Sequence, residues 1–290
     1  MTDVTVVVSF KDNAATLPDT VRSVLAQTHE DWALVLLDDG SSDGGADLVA
    51  GITDPRVRLI RYEANLGTPV RLNQLTHLVD TPYLARLDGD DLMHPERLER
   101  SIAVLDDRPD VSFVAGHAVS IDRWSRPSGL RRSVAVPTVA DHFRHAPFVH
   151  ATVTGRTDWF RAHPYDPTYR RCQDQELWVR TMAERTTVTL DAVLLYLRET
   201  GTVPAAKYAT SMRATRRVLR EHGPSDLGVA RTSALVAQTV AKEATYRLAE
   251  RLGAVDHLVR RRAGGLAEDD LRRHEAEIER IRAVPLPGLD

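Results

Sequence analysis

A chain of 290 residues with 42% hydrophobic content can bury a sizeable core, enough for one large domain or one domain with an appendage. Its formal charge of −3 gives no electrostatic case for a nucleic-acid partner, and a single cysteine, Cys172, excludes an internal disulfide framework and a cysteine-based zinc cluster. One cysteine suits a reducing cytosol, so a cytoplasmic location is expected; MTDVTVVVSF lacks the basic n-region of a signal peptide, and no apolar run approaches the ~20 residues that span a bilayer.

In chain order, the first part alternates strand and helix signals. VTVVVSF, Val4 to Phe10, is a β-branched run suited to a strand buried on both faces. Leu17, Val21, Val24 and Leu25 make one apolar helix face. Trp32 to Asp38 predicts a second buried strand, and Arg56 to Tyr62 alternates like a third, more exposed one. Leu72, Leu75, Leu78 and Val79 mark a helix, and Tyr83 to Leu87 a fourth strand. Pro95 suits the first position of a helix carrying Leu98, Ile102 and Leu105, and Val111 to Gly116 predicts a fifth strand. This alternation implies right-handed βαβ units in an α/β fold with a mainly parallel sheet, whose ligands bind beyond the strand C-termini.

From Ile121 to Pro147 the pattern breaks at Pro127, Gly129 and Pro137, which predicts loops with one or two short strands. Phe148 to Gly155 predicts a further strand, Asp174 to Glu184 a helix, and Thr187 to Arg198 extended segments. Beyond Pro204 the chain predicts helices over 205–222, 230–252 and 267–283, separated by HGPSDLG and RRRAGGLAEDD. By composition, 204–290 is a helical appendage to the α/β part, 1–203.

Polar residues collect at the expected strand ends. Ser9, Lys11 and Asp12 follow the first strand, DDGSSD (Asp38 to Asp43) the second, Asn65 to Gly67 the third, and Asp88 to Asp91 the fourth. Any one of these alone reads as an ordinary turn, since Asp, Gly, Ser and Asn are turn formers. Four in succession on one sheet edge point to a site. The crowded carboxylates of DGDD suit a hard divalent cation, Mg²⁺ or Mn²⁺, which takes one or two of them and fills its shell with phosphate oxygens. A calcium loop of the EF-hand type is disfavoured, because the D-x-D-x-D-G order and the closing glutamate are missing. Neither G-x-G-x-x-G nor G-x-x-x-x-G-K-[ST] occurs, so dinucleotide binding and P-loop hydrolysis are unsupported.

Five ordered segments together resemble glycosyltransferase family 2, inverting enzymes of the GT-A fold. They are SFKDN after the opening strand, SVLAQTHEDWALVLLDDGSSD, NLGTPVRLNQ, YLARLDGDDLMHPERL with its D-x-D, and YRRCQDQELWVR. The resemblance covers Val4 to Arg198. It implies a nucleoside-diphosphate sugar donor (UDP-, dTDP- or GDP-linked), an acceptor hydroxyl and a divalent metal. Position by position it puts Ser9, Lys11, Asp39, Asn65, Arg71, Asp88 and Gly89 at the nucleotide, Asp90 and Asp91 at the metal, and Asp174 as the catalytic base. Gln173, His150 and Trp178 fall on the acceptor side. The chain departs from the family at Lys11, where an aromatic or valine-tyrosine pattern is usual, and at Gln173, where glutamate is usual. It also lacks a late histidine, for which Arg198 or Glu199 could substitute. Without the resemblance Asp174 reads as a helix N-cap, Trp178 as core, His150 as a satisfied structural histidine and Glu176 as a solvated or locally paired residue.

Two rivals are a sugar-1-phosphate nucleotidyltransferase and a nucleotide-sugar-binding protein without catalysis. SFKDNAATL lacks the glycine-rich loop the first requires, and the retained Asp174 and DGDD count against the second. In the helical part, Leu235, Val236, Val240, Leu248, Leu252, Val255 and Leu258 would pack onto the catalytic part or form a homodimer interface. A basic patch ending in Arg260 to Arg262 leaves peripheral membrane contact open.

Overall fold

The opening β-branched run forms β1 (Val4–Phe10), buried at every position but the half-buried Ser9. In the computed structural model, which describes residues 2–144, 146–199, 203–255 and 265–289, β1 lies between two parallel neighbours, β2 (Trp32–Asp39) and β4 (Tyr83–Asp88). The partly exposed β3 (Val57–Tyr62) adds outside β2 as the edge strand. Helices α1 (Leu17–Leu25), α2 (Gly45–Ala50) and α3 (Thr68–Leu78) connect them. The chain thus steps outward from β1 to β3 and returns on the other side of β1 at β4. Such a reversal opens a crevice beyond the strand C-termini, where α/β sheets take ligands. The register sets Ser9 beside both Leu37 and Asp88, and Phe10 beside Asp38, so the polar strand ends share one edge.

Beyond β4 the sheet becomes mixed. β8 (Thr154–Arg156) runs antiparallel between β4 and β6 (Val111–Ile121). β6 carries β7 (Pro127–Arg131) antiparallel and β9 (Thr186–Arg198) parallel, and β9 holds the two-residue β5 (Leu92–Met93). The fifth expected strand therefore runs past Gly116 to Ile121. The segments expected over Thr187 to Arg198 are one strand, because β6 and β9 support each other from Val111–Thr186 to Ile121–Arg198.

Three other expectations need correction. Phe148 to Gly155 is not one strand: His150–Thr152 is a single 3₁₀ turn, and pairing begins only at Thr154. Arg97 takes the carbonyls of Ala151 and Val153, and Thr152 Oγ1 donates back to Val149 O, so among the described residues only Val153 O of these carbonyls also meets a strand N–H, that of Arg86. The helix expected to begin at Pro95 is α4 (Arg97–Asp107), because the Pro95 carbonyl is taken by Thr28 N and Arg97 N closes a turn onto His94 O. The break expected across HGPSDLG is confined to its last two residues, Leu227 and Gly228. α8 (Ala205–Asp226) carries Pro224 inside its last turns, and α9 (Val229–Arg251) starts only after Gly228. A side chain at Gly223 would meet Thr232 Oγ1 at 2.7 Å, so glycine lets the two helices approach.

Two apolar layers cover the sheet. One joins Val6 and Val8 to Leu17, Val21 and Val24 of α1 and to Leu98, Ile102 and Leu105 of α4. The other joins Val7 and Leu37 to Leu72 and Leu75 of α3, Phe160 of α6 (Thr157–Ala162) and Leu177 and Trp178 of α7 (Gln173–Arg180). The hairpin α8–α9 packs through Val218, Leu219 and Leu235 onto Val179 of α7 and Phe143 of α5 (Val139–Arg144). Ile278 and Ile281 of α10 (Glu268–Arg282) pack on Leu92, Val119 and Tyr196, and Leu286 beyond it joins the first layer. Among the apolar residues expected to pack, Leu235 and Val255 are buried, whereas Val240, Leu248 and Leu252 are exposed. Leu258 and Arg260 to Arg262 lie outside the described residues. Among the described residues no helix is long and apolar enough to cross a membrane.

Candidate active site

The DDGSSD segment stitches three loops together at the end of β2. Asp38 Oδ1 accepts Ser41 N at 2.8 Å, and Asp43 accepts Ala14 N and Gly45 N. Asp12, held at φ 53°, accepts Ser42 N and donates its own N–H to Ser41 Oγ. Lys11 Nζ donates to Asp12 and to the carbonyl of Gly40, so it clamps the loop after β1 to the loop after β2. Gly40 has φ 77°, and a Cβ there would lie 2.6 Å from Glu63 O, which leaves glycine as the residue that fits.

Asp39 is 4% exposed and accepts three hydrogen bonds: Leu66 N and Gly67 N at 2.8 Å and Arg71 Nε at 2.6 Å. Arg71, 1% exposed, also donates to Gln74 and Ala64 O and lies over the Tyr62 ring, 4.0 Å from its centroid. A carboxylate offers about four acceptor positions, so Asp39 keeps one. Asn65, between these anchored neighbours, is exposed at the crevice rim.

The DGDD turn follows β4. Gly89 is required by space: a Cβ there would meet Phe10 Cβ at 2.7 Å. The three carboxylates differ. Asp88 Oδ1 accepts Arg86 Nη2 at 2.6 Å and keeps a partly exposed side chain. Asp91 is 1% exposed; its Oδ1 accepts Arg198 N at 2.8 Å, while Oδ2 is buried with no partner among the described residues. Burial, then the charges of Asp88 and Asp90, hold Asp91 well above the usual carboxylate range. Burial and Asp88 raise Asp90 as well. The Arg198 guanidinium donates to Asp90 O, Asp122 O and Ser125 Oγ. Glu199 instead turns to Arg131 and Ser120, so of the two residues at the missing histidine's place only Arg198 reaches the turn.

Asp174 reaches this cluster from the first turn of α7. The turn is set by Cys172, whose left-handed φ of 57° precedes Gln173, so Asp174 is not the N-cap, although its carboxylate takes backbone N–H groups of the first turn, that of Gln175 first. Burial raises Asp174 above the usual carboxylate range, with Arg86 opposing and Asp88 adding to the shift, so all three groups lie within electrostatic reach. Gln173 is half-buried at the helix start. His150 Nε2 meets the Tyr165 hydroxyl at 2.8 Å, and burial, then Arg86, depress its pKa well below the usual histidine value. Trp178 is 0% exposed and packs against Phe113, Phe148 and Trp159, so it is core and does not line an acceptor pocket. Glu176 is buried and paired with Arg180.

Arg86 is the residue that motif reading passes over. It stands inside the strand expected over Tyr83 to Leu87, a charge among apolar residues, and that anomaly is the signal. Burial works against its charge, but Asp88, Tyr165, Asp174 and Asp91 outweigh it and raise its pKa. Arg97 lies behind it, fully buried, with burial and then Arg86 lowering its pKa to about 9.

A family profile described as Glycosyl transferase family 2 matches residues 5–178. EpsE of Bacillus subtilis (strain 168) is 30% identical over 187 residues, 62% of this chain and 67% of EpsE. Succinoglycan biosynthesis protein ExoO of Rhizobium meliloti (strain 1021) is 38% identical over 120 residues, 41% of this chain and 32% of ExoO, so the match spans about a third of that relative's length. The crystal structure of S. aureus TarS 1-349 in complex with UDP-GlcNAc superposes with a TM-score of 0.63 over 98% of this chain and 82% of TarS, at 15% identity. A second TarS 1-349 structure, in complex with UDP, gives 0.56 over 82% and 70% at 16% identity. The fold shared with them is the GT-A arrangement.

Proposed function

Since the chain belongs to glycosyl transferase family 2 and is a glycosyltransferase, we propose that it transfers a sugar from a nucleoside diphosphate to an acceptor hydroxyl with inversion. One observation carries this reading: the buried Arg86 is bonded to Asp88 of DGDD at the end of β4 and lies within electrostatic reach of Asp174 at the start of α7. Donor binding falls to the first half of the sheet, about 1–118, and acceptor binding to 119–203, with 204–290 supporting them. The nucleotide lies along Ser9, Lys11, Asn65, Asp88 and Gly89, with the base against the remaining lone pair of Asp39 beside Arg71. Because the TarS crystals hold UDP and UDP-GlcNAc, a uridine donor is the first to try.

The carboxylates fit a hard divalent cation, Mn²⁺ or Mg²⁺. The buried Asp91 Oδ2 has no partner, and the raised pKa values of Asp90 and Asp91 reflect burial and mutual repulsion that a cation would relieve. Among the described residues no cluster of three metal-ligating side chains occurs, which agrees with a cation completed by diphosphate oxygens. Asp90 and Asp91 would hold it, and when bound it would neutralise charge on the departing diphosphate. Arg198 fixes this turn by its backbone N–H to Asp91 and its guanidinium to Asp90 O. Asp174, as carboxylate, takes the proton of the attacking hydroxyl. Attack on the anomeric carbon opposite the diphosphate is one displacement, hence inversion.

The test is release of nucleoside diphosphate from a donor panel with Mn²⁺ and polysaccharide, lipid-linked and small acceptors. Donor-dependent release, lost in Asp174→Asn, is expected. Release that Asp174→Asn leaves intact removes Asp174 as base. Donor binding without release by the unaltered chain would favour the non-catalytic alternative.

A further inference from the structure

A guanidinium carries five N–H donors, and a buried one is normally spent on partners. Arg97 shows the structural pattern: its Nη atoms donate to the carbonyls of Ala151, Arg86 and Val153. Arg86 does not follow it. Its side chain is 7% exposed, yet among the described residues its Nη atoms make one hydrogen bond, Nη2 to Asp88 Oδ1 at 2.6 Å, against the three made by those of Arg97; the Nε of each arginine is buried without a partner among the described residues. The backbone below is fixed, with Arg86 N donating to Val153 O and Arg86 O accepting from Arg97. His150 and Tyr165, its neighbours on the acceptor side, satisfy each other. Among the described residues the unspent donors therefore meet no protein group.

Their place says what would meet them. Asp88 holds Arg86 directly, and Asp174 lies close enough for its charge to act on both. In the transfer proposed above, on which this inference rests, the anomeric carbon lies between the base and the departing diphosphate. A cation within reach of the base and bonded to the carboxylate beside the diphosphate is therefore a partner for the transferred sugar. We propose that Arg86 is a sugar-facing residue, with Nη2 holding Asp88 and its remaining N–H groups taking hydroxyl oxygens of the donor sugar, so that it helps determine which sugar is accepted. A leaving diphosphate has its own partners at the DGDD turn and Arg198, and does not need Arg86.

The test compares sugar-bearing and sugar-free ligands. The full chain, Arg86→Met and Arg86→Lys are titrated calorimetrically with Mn²⁺ against UDP, dTDP and GDP and against the glucose and N-acetylglucosamine conjugates of each. For the nucleotide that the unaltered chain binds, Arg86→Met should keep the free diphosphate affinity within about twofold and lose about tenfold, or about 1.4 kcal/mol, for the conjugate. Arg86→Lys should recover part of the loss. Retained diphosphate binding shows that the variants are folded. Equal losses for diphosphate and conjugate would reduce Arg86 to a support of Asp88 and overturn the proposal, as would unchanged conjugate binding. If the unaltered chain binds none of these ligands, the donor assignment itself fails, and the role of Arg86 with it.

Discussion

Asp174 works in the proposed reaction only as a carboxylate, and burial raises its pKa. The rate should therefore fall as pH drops through a value above that of an ordinary aspartate, visible as an acid limb in kcat/KM. Asp174→Asn should cost about 10²–10⁴-fold in turnover, the usual range for a general base, while donor affinity measured by calorimetry is retained. The linkage runs the other way for stability. A carboxyl whose pKa is raised by folding favours the fold while protonated and loses that contribution as pH rises through the raised pKa. At neutral pH the Asp174→Asn chain should melt above its parent in a thermal scan. Arg71→Met tests a different residue. It leaves the buried Asp39 without its ion-pair partner and should lower unfolding free energy by about 3–5 kcal/mol in a urea titration. Asp88, Asp90, Asp91 and Asp174 were legible in the sequence because their spacing makes motifs. Arg86 was not, because its importance comes from carboxylates on two distant elements, and only the fold brings those together.

At the scale of elements, the turn between β4 and β5 is held by shape as much as by charge. Gly89 sits against Phe10, so Gly89→Ala must displace either β1 or the DGDD turn. A loss of about 1–3 kcal/mol is expected, as for overpacking elsewhere, together with weaker activation by Mn²⁺ in a metal titration. The strands of the parallel half were legible because β-branched runs ending in Asp and Gly leave little choice. The segment Phe148 to Gly155 looks equally extended, yet most of it is not strand. Its carbonyls answer to Arg97, a residue on another element, and such a contact overrides local propensity. The helix carrying Pro224 differed in the opposite sense: the break announced by Gly223 and Pro224 comes only at Leu227 and Gly228, because α8 packs on α9 through Gly223 and continues past the proline.

For the molecule as a whole, the C-terminal helices matter as packing partners. Ile281 is 1% exposed against Leu92, Val119 and Tyr196, which lie beside the DGDD turn and Arg198. Ile281→Ala should cost about 2–5 kcal/mol in a denaturant titration and should loosen the DGDD turn proposed to hold the cation. Composition marked these helices as separate, because it records what residues are and not which grooves they fill. The sheet topology also bears on time. Val4 of β1 pairs with Tyr83 of β4 and Val111 of β6 with Thr186 of β9, so both halves of the sheet close intervening segments of similar length. Long-range pairing must meet its loop-closure entropy before its contacts reward it, and so forms slowly. After dilution from urea, nucleoside diphosphate binding and sugar transfer should therefore return together; binding that recovers well before transfer in stopped-flow measurements would contradict this.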